Sequence, residues 1–291
     1  RVSGSGRPYV VSMSHGPTER APGEPLPLAI VDTHCHLDCR EFDPDRSAVL
    51  ARARAARVVG LVIPAIERAS WGGLLDLCRA APDCFPALGL HPVYLDRHGD
   101  GDLRALEQAL GQNEVIAVGE IGLDFFGGGP DRGHQQRLFA DQLECARAAD
   151  LPVILHVRKA HAEVLAALKG TPVRGGIVHA FSGGIEEARR YLDLGFKLGF
   201  GGMLTFERST KLRQLVARLP LDALVLETDA PDLTVAAHRG TRNSPEYLPD
   251  VLGALAQVRG EDPSGLAIAT TANACAILGL RLPAAAARTT H

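Results

Sequence analysis

Eight short runs of β-branched and aliphatic residues punctuate the chain, at 28–31, 58–63, 85–90, 115–118, 153–155, 176–178, 197–200 and 224–226. Each reads as a strand. The gaps between them carry a helical period rich in Ala, Leu and Arg, clearest at 47–57, 102–110, 132–149 and 186–194. Asp102 and Ser209 stand where helix caps are expected. A strand followed by a helix, eight times over, predicts a parallel sheet closed on itself: an α/β chain folded as a (β/α)8 TIM barrel. Two final helices, near 245–259 and 264–278, would complete the outer ring. An open doubly wound sheet is the alternative. The glycines at Gly127–Gly129 do not follow a strand in the GxGxxG arrangement, and no GxxxxGK[ST] loop is present to cradle a nucleotide phosphate.

The 291 residues would suffice for two average domains, but a single barrel also reaches this size. The pattern places one domain at 28–282, after a disordered or added extension at 1–27 and before a flexible tail at 283–291. The extension is rich in Gly, Pro and Ser without periodicity, and Met13 would make a natural start. With 46% apolar and 22% charged residues, the composition is that of ordinary globular proteins. Neither a membrane-spanning run nor a secretory signal is visible, so a cytoplasmic protein with no membrane partner is expected. The six cysteines form no CxxC pair and read as small buried hydrophobes in a reducing compartment. A net charge of −3 argues against coating nucleic acid by bulk attraction. Nothing calls for an obligate protein partner. Eleven histidines need an explanation.

In a parallel barrel the chemistry sits at the C-terminal ends of the strands. Those ends hold Asp32-Thr33-His34-Cys35-His36, His91-Pro92, Glu120 through Asp124, His156-Val157-Arg158, His179 through Gly183, and Glu227-Thr228-Asp229-Ala230-Pro231. His34 and His36, two apart, leave the same face of a strand and can reach one ion. Cys35 between them points the other way and is expected to pack. A lone HxH is weak evidence, and a lone His156 or His179 is more often a core histidine bonded to backbone. Together with Glu120 and Asp229 they make four imidazoles and two carboxylates, which exceed one tetrahedral site. Two ions bridged by a carboxylate and a water account for the excess. His91 is expected behind the ligands, holding one of them in place. Asp124 could orient a ligand or close its loop. His98, His134, His161 and His238 are expected to be solvated or hydrogen-bonded, and His15 and His291 to be irrelevant.

Taken in order, DTHCHLD, GLHP, GEIGLDFF, the HVR strand end, HAFSGG and ETDAP resemble the TatD family of metal-dependent deoxyribonucleases, in the amidohydrolase superfamily. Gln135, Gln136, Phe139 and Gln142 are similar to that family's helix after GEIGLD. Asn243 to Tyr247 are similar to its RNxPxY segment, and Thr271 and Asn273 to its closing helix. The resemblance implies one ion on His34, His36, Glu120 and Asp229 and another on Glu120, His156 and His179, with Glu120 as the bridge. It also implies an altered substrate rim where Gly127–Gly129 stand, because a Tyr-rich or charged loop is common there.

The chemistry then expected is exonuclease-type cleavage of a phosphodiester in DNA, at single strands or strand ends, by a water activated between two divalent ions (Zn, Mg or Mn). Asp229 would take the proton of that water, so Asp229 and Glu120 are the candidate catalytic residues. Arg158 and Arg242 would bind phosphate oxygens, with Arg239 equally well a solvated surface residue. The rivals are hydrolysis of a D-aminoacyl ester on tRNA, or of another ester or amide. A carboxylated lysine bridges the metals of many such amide hydrolases, but the fourth strand ends in Glu120. A metal-stabilised binding scaffold is the least favoured reading, because a structural site closes its coordination and does not need two ions.

Overall fold

The computed structural model describes residues 28–127 and 131–283, and its eight strands form one parallel sheet in sequence order. They are β1 (Ile30–Asp32), β2 (Val58–Pro64), β3 (Cys84–Leu88), β4 (Ala117–Asp124), β5 (Val153–Arg158), β6 (Gly176–Val178), β7 (Phe196–Phe200) and β8 (Leu224–Leu226). The helices are α1 (Arg46–Ala55), α2 (Trp71–Ala80), α3 (Asp102–Gln112), α4 (Arg132–Ala148), α5 (His161–Gly170), α6 (Ile185–Asp193), α7 (Thr210–Arg218), α8 (Leu248–Arg259) and α9 (Pro263–Leu278). The first and last strands meet through Thr33 N–H, which donates to the Leu226 carbonyl at 3.0 Å, and Asp229 N–H, which donates to the His34 carbonyl at 2.8 Å. The expected (β/α)8 barrel is therefore the fold. The extension at 1–27, the tail from 284 onward, and Gly128 and Gly129 lie outside the described residues.

The strands are mostly apolar up to their C-terminal ends because each is covered on two sides. Leu61, Ile63, Leu88, Leu155, Leu198 and Leu226 pack outward against the helices. Val31, Val62, Ala87, Ala117, Ile154, Ile177 and Val225 instead form a second cluster inside the ring, sealed by Ala274, Leu278 and Leu280. Side chains alternate along a strand, so two residues beyond an interior position the next side chain is interior again. Ile154 is thus followed by His156, Ile177 by His179 and Val225 by Glu227. The same phase that makes an apolar floor makes a titratable mouth.

Four local expectations are corrected or qualified. β4 does not stop at Val118; it pairs with β5 as far as Asp124 opposite Arg158. Glu120 therefore lies within a strand. The extension has little apolar signal, because it depends on glycines: a Cβ at Gly122, where φ is +143°, would collide with the His156 carbonyl. Asp102 is the first residue of α3 and not its cap, since its carboxylate turns back to Gly99 N–H at 2.9 Å and to Arg68 at 3.0 Å. Ser209 stands at the cap of α7, but its hydroxyl makes no capping bond. The helix expected over 245–259 is a 3-10 turn at Pro245–Tyr247 that leads into α8.

Candidate metal centre and active site

Four donor atoms converge at the mouth of the barrel: His34 Nε2, His36 Nε2, Glu120 Oε2 and Asp229 Oδ1. His34 Nε2 lies 3.2 Å from His36 Nε2, 3.1 Å from Glu120 Oε2 and 3.7 Å from Asp229 Oδ1. His36 Nε2 lies 3.5 Å from the same Glu120 oxygen and 3.7 Å from the same Asp229 oxygen. A tetrahedron with bonds of 2.0–2.1 Å has edges of about 3.3–3.4 Å, so the spacings among His34, His36 and Glu120 fit a divalent ion, with Asp229 Oδ1 somewhat farther from both rings. Protons alone serve the arrangement poorly, because the one proton His34 Nε2 can carry cannot point at both His36 Nε2 and Glu120 Oε2, and the ring's Nδ1 is buried without a partner. The other oxygen of Glu120 faces a different set. Oε1 lies 3.0 Å from His156 Nδ1, 3.3 Å from His91 Nε2 and 3.9 Å from His179 Nε2. The donor chemistry of both sets, imidazole with carboxylate, is that of transition-metal sites.

Three of the rings, His36, His156 and His91, are aimed by a hydrogen bond at the other nitrogen, while His34 Nδ1 is buried without one. His36 Nδ1 bonds the Pro64 carbonyl at 3.1 Å, leaving Nε2 to face the centre. His179 Nδ1 lies 3.1 Å from Glu227 Oε1, off the line of a hydrogen bond, while Ala180 N–H donates to that oxygen at 2.6 Å. His156 Nε2 bonds Asp124 Oδ2 at 3.0 Å, so Asp124 orients a ring of the cluster. His91 Nδ1 accepts from Val93 N–H at 3.2 Å. A neutral ring that accepts at Nδ1 carries its proton on Nε2, so His91 faces Glu120 Oε1 with an N–H, at 3.3 Å but off the line of a hydrogen bond, and does not offer that nitrogen to an ion. Asp229 is held at φ +58°, a left-handed backbone rare outside glycine, by its N–H bond to His34 and by Asp232 N–H on its carbonyl.

Burial is the largest influence on these groups. It drives the His34 imidazole well below its usual range and His91 down to about 4, which keeps both rings neutral. At His179 burial is outweighed by the Glu227 and Asp229 carboxylates, and the pKa climbs to about 10. Burial also opposes the charged form of Glu120, yet the surrounding His91, His34 and His156 rings hold its carboxyl well below the ordinary range. Asp229 is pushed up to about 6 by burial, against the pull of His179 and His36. The His34 and His179 rings stack 3.6 Å apart, which disfavours a charge on both.

The profile of the family described as TatD related DNase matches residues 31–279. The chain belongs to the TatD family. It is 42% identical to an uncharacterised metal-dependent hydrolase of Escherichia coli K12, YjjV, over 84% of this chain and 95% of that protein. The crystal structure of YjjV, described as a TatD homologue, superposes with a TM-score of 0.84 over 87% of this chain and 98% of its own. A protein of Cronobacter sakazakii named 3'-5' ssDNA/RNA exonuclease TatD is 36% identical over 84% of this chain and 95% of that one.

The TatD-family motifs acquire physical reasons from the contacts around the centre. Gln142 of α4 grips both backbone groups of Leu90, accepting from its N–H at 2.7 Å and donating to its carbonyl at 3.1 Å, and so fixes the strand end that carries His91. Gln135 does the same to Asp124, at 2.8 and 3.0 Å. Asn243 donates to the Thr228 and Asp232 carbonyls, both at 2.7 Å, on either side of Asp229. Thr228 in turn donates its hydroxyl to buried Asp32 at 2.6 Å. Glu227 was quoted within ETDAP without a role; the alternation along β8 was the signal that could have found it. Arg158 lies over the Phe126 ring, 3.9 Å from its centre, at the edge of the cavity that holds Glu120. Arg242 reaches the same cavity but is engaged by Asp45 at 2.8 and 2.9 Å and by the Glu41 carbonyl. Arg239 is exposed and lines neither of the two cavities at the mouth. His98 bonds the His91 carbonyl, His161 bonds Tyr191, and His238 stacks on Tyr247; none of the three joins the cluster. Among the described residues no helix is long and apolar enough to cross a membrane.

Proposed function

We propose that this TatD-family hydrolase is a metal-dependent exonuclease acting on ends of single-stranded nucleic acid, with DNA as the first substrate to test. Its two divalent ions would be held by His34, His36, Glu120 and Asp229 and by Glu120, His156 and His179. The observation that carries the reading is the division of Glu120. One oxygen faces His34 and His36, the other faces His156 and His179, at the base of an open cavity of about 790 Å³. The relatives named exonucleases support the same reading.

When bound, such ions supply a polarised phosphoryl oxygen and a water of lowered pKa. The chain's own groups would do the rest. Asp229 Oδ1, 3.7 Å from the Nε2 atoms of His34, His36 and His179, is placed to take the proton of the attacking water. Arg158, over the Phe126 ring at 3.9 Å from its centre, would offer a planar fork of donors to phosphate oxygens. His91 would steady Glu120 Oε1 by facing it with its Nε2–H. The net charge of −3 does not oppose an anionic substrate, because bound cations make the mouth locally positive.

The test is a substrate panel on protein stripped of metal and reloaded with Zn, Mn or Mg: DNA with free 3′ or 5′ ends, RNA, D-aminoacyl-tRNA, and simple esters and amides. Release of mononucleotides from single-stranded DNA, lost in Glu120→Ala, is the expected result. Turnover confined to D-aminoacyl-tRNA or to amides overturns the nuclease reading, and undiminished turnover in Glu120→Ala overturns the bridge.

A further inference from the structure

The centre opens on a second cavity, of about 820 Å³, between the loop after β6 with α6 and the loop after β7 with α7. It shares Ala180, Ser182, Asp229 and Leu233 with the first, so the two adjoin along a common wall that includes Asp229. Their charges differ. The second cavity is lined by Arg208, Lys211 and Arg218, none within ion-pair distance of a carboxylate among the described residues. Its acidic lining residues are Glu227 and Asp229, both part of the histidine cluster. The first cavity adds Glu41, Glu120, Asp124 and Asp232 against two cations, Arg158 over Phe126 and Arg242, which is already engaged by Asp45.

The second cavity is also apolar at its mouth. Met203 and Leu233 are 40% and 42% exposed, two of the few large hydrophobic side chains so displayed among the described residues. Unpaired cations beside displayed apolar side chains suit a ligand with a charged backbone and flat apolar faces. Single-stranded nucleic acid has that chemistry, and the wall shared at Asp229 puts its scissile phosphate at the centre.

We propose that this groove holds the nucleotides adjoining the cleaved one: Arg208 and Lys211 bind successive backbone phosphates, and Met203 and Leu233 contact bases. The proposal rests on the exonuclease reading for its catalytic consequence and on the groove alone for binding. Binding of this kind tolerates any base sequence, because the contacts are to phosphates and to base faces. It favours oligonucleotides over isolated diesters.

The test compares the double variant Arg208→Ala/Lys211→Ala with wild type and with Lys169→Ala, which removes one exposed charge on α5, away from both cavities. Fluorescence anisotropy with a phosphorothioate hexathymidylate and metal-free protein reads the groove apart from chemistry. The double variant is expected to bind about tenfold more weakly, with a salt slope shallower by about 1.4 for two lost phosphate contacts. In steady state with manganese, its loss on the hexanucleotide should exceed its loss on bis(p-nitrophenyl) phosphate by about tenfold and appear in KM. Equal binding in double variant and wild type, no wild-type binding, or a loss matched by Lys169→Ala overturns the groove. Wild-type binding without turnover of any oligonucleotide overturns the exonuclease reading and leaves the groove standing.

Discussion

His91 Nε2 lies 3.3 Å from Glu120 Oε1, and the ring's other nitrogen accepts from Val93 N–H at 3.2 Å. The Val93 bond leaves the proton on Nε2 and turns a polar N–H toward the carboxylate that divides the two histidine sets. His91→Ala is therefore expected to weaken metal binding by about 10–100-fold, measured by competition with a chromogenic chelator. His91→Gln, which can still donate, should recover part of the loss. Wild-type affinity in His91→Ala would show that Glu120 needs no such support.

Glu227 depends on a missing side chain. A Cβ at Gly199 would run into the Glu227 carboxylate, so Gly199→Ala must displace the group beside His179. A cost of about 1–3 kcal/mol is expected from overpacking a closed interior. Urea unfolding checks that cost, and the chelator titration should show weaker metal binding than in a variant altered outside the barrel. A Gly199→Ala protein with wild-type stability and affinity would mean that Glu227 moves aside freely.

Arg158 and Phe126 form one surface, with the guanidinium 3.9 Å from the ring centre and Phe126 52% exposed. If Arg158 binds phosphate, Arg158→Ala raises KM for an oligonucleotide by roughly tenfold or more, the worth of a charge-assisted hydrogen bond. Arg158→Lys should fall between the two, because an ammonium neither stacks nor forks. Steady-state kinetics decides it, and an unchanged KM in Arg158→Ala removes the residue from the substrate site.

Asp102 supplies a pH dependence away from the centre. Burial pushes its carboxyl up, but Gly99 N–H and Arg68 more than offset this, and its pKa lies below the ordinary value. A depressed native pKa gives stability that is present above the unfolded value, about 3.9, and lost as pH falls through the native one. Asp102→Asn should thus be less stable than wild type by up to about 1 kcal/mol at pH 7, through the lost charge on the acceptor of the Gly99 bond more than through Arg68, which is half exposed. The difference should shrink from pH 7 to an acid pH below the unfolded value and vanish once the native carboxylate is protonated. Urea midpoints at the two pH values check this, and a gap undiminished in acid contradicts it.

The order and phase of the barrel were legible in the residues themselves. Eight apolar runs marked the strands, and the two-residue alternation that follows Ile154 and Ile177 put His156 and His179 on the inner face. Such periodicity is a property of neighbours in the chain, so the chain reveals it directly. The glycine-dependent half of β4 was not legible, because its strand character comes from pairing with β5 and from the space that Gly122 leaves for His156.

What the tertiary structure alone decided are relations between distant residues. Gln142 holds Leu90 across 52 positions, Arg242 is taken up by Asp45 across 197, and the groove brings Arg208 and Lys211 beside Ser182. The sequence could nominate His34, His36, Glu120, His156, His179 and Asp229 by type and place. Which oxygen of Glu120 faces which ring, and which nitrogen of His91 carries the proton, follow only from packing, because a hydrogen bond depends on where its partner's backbone has been placed.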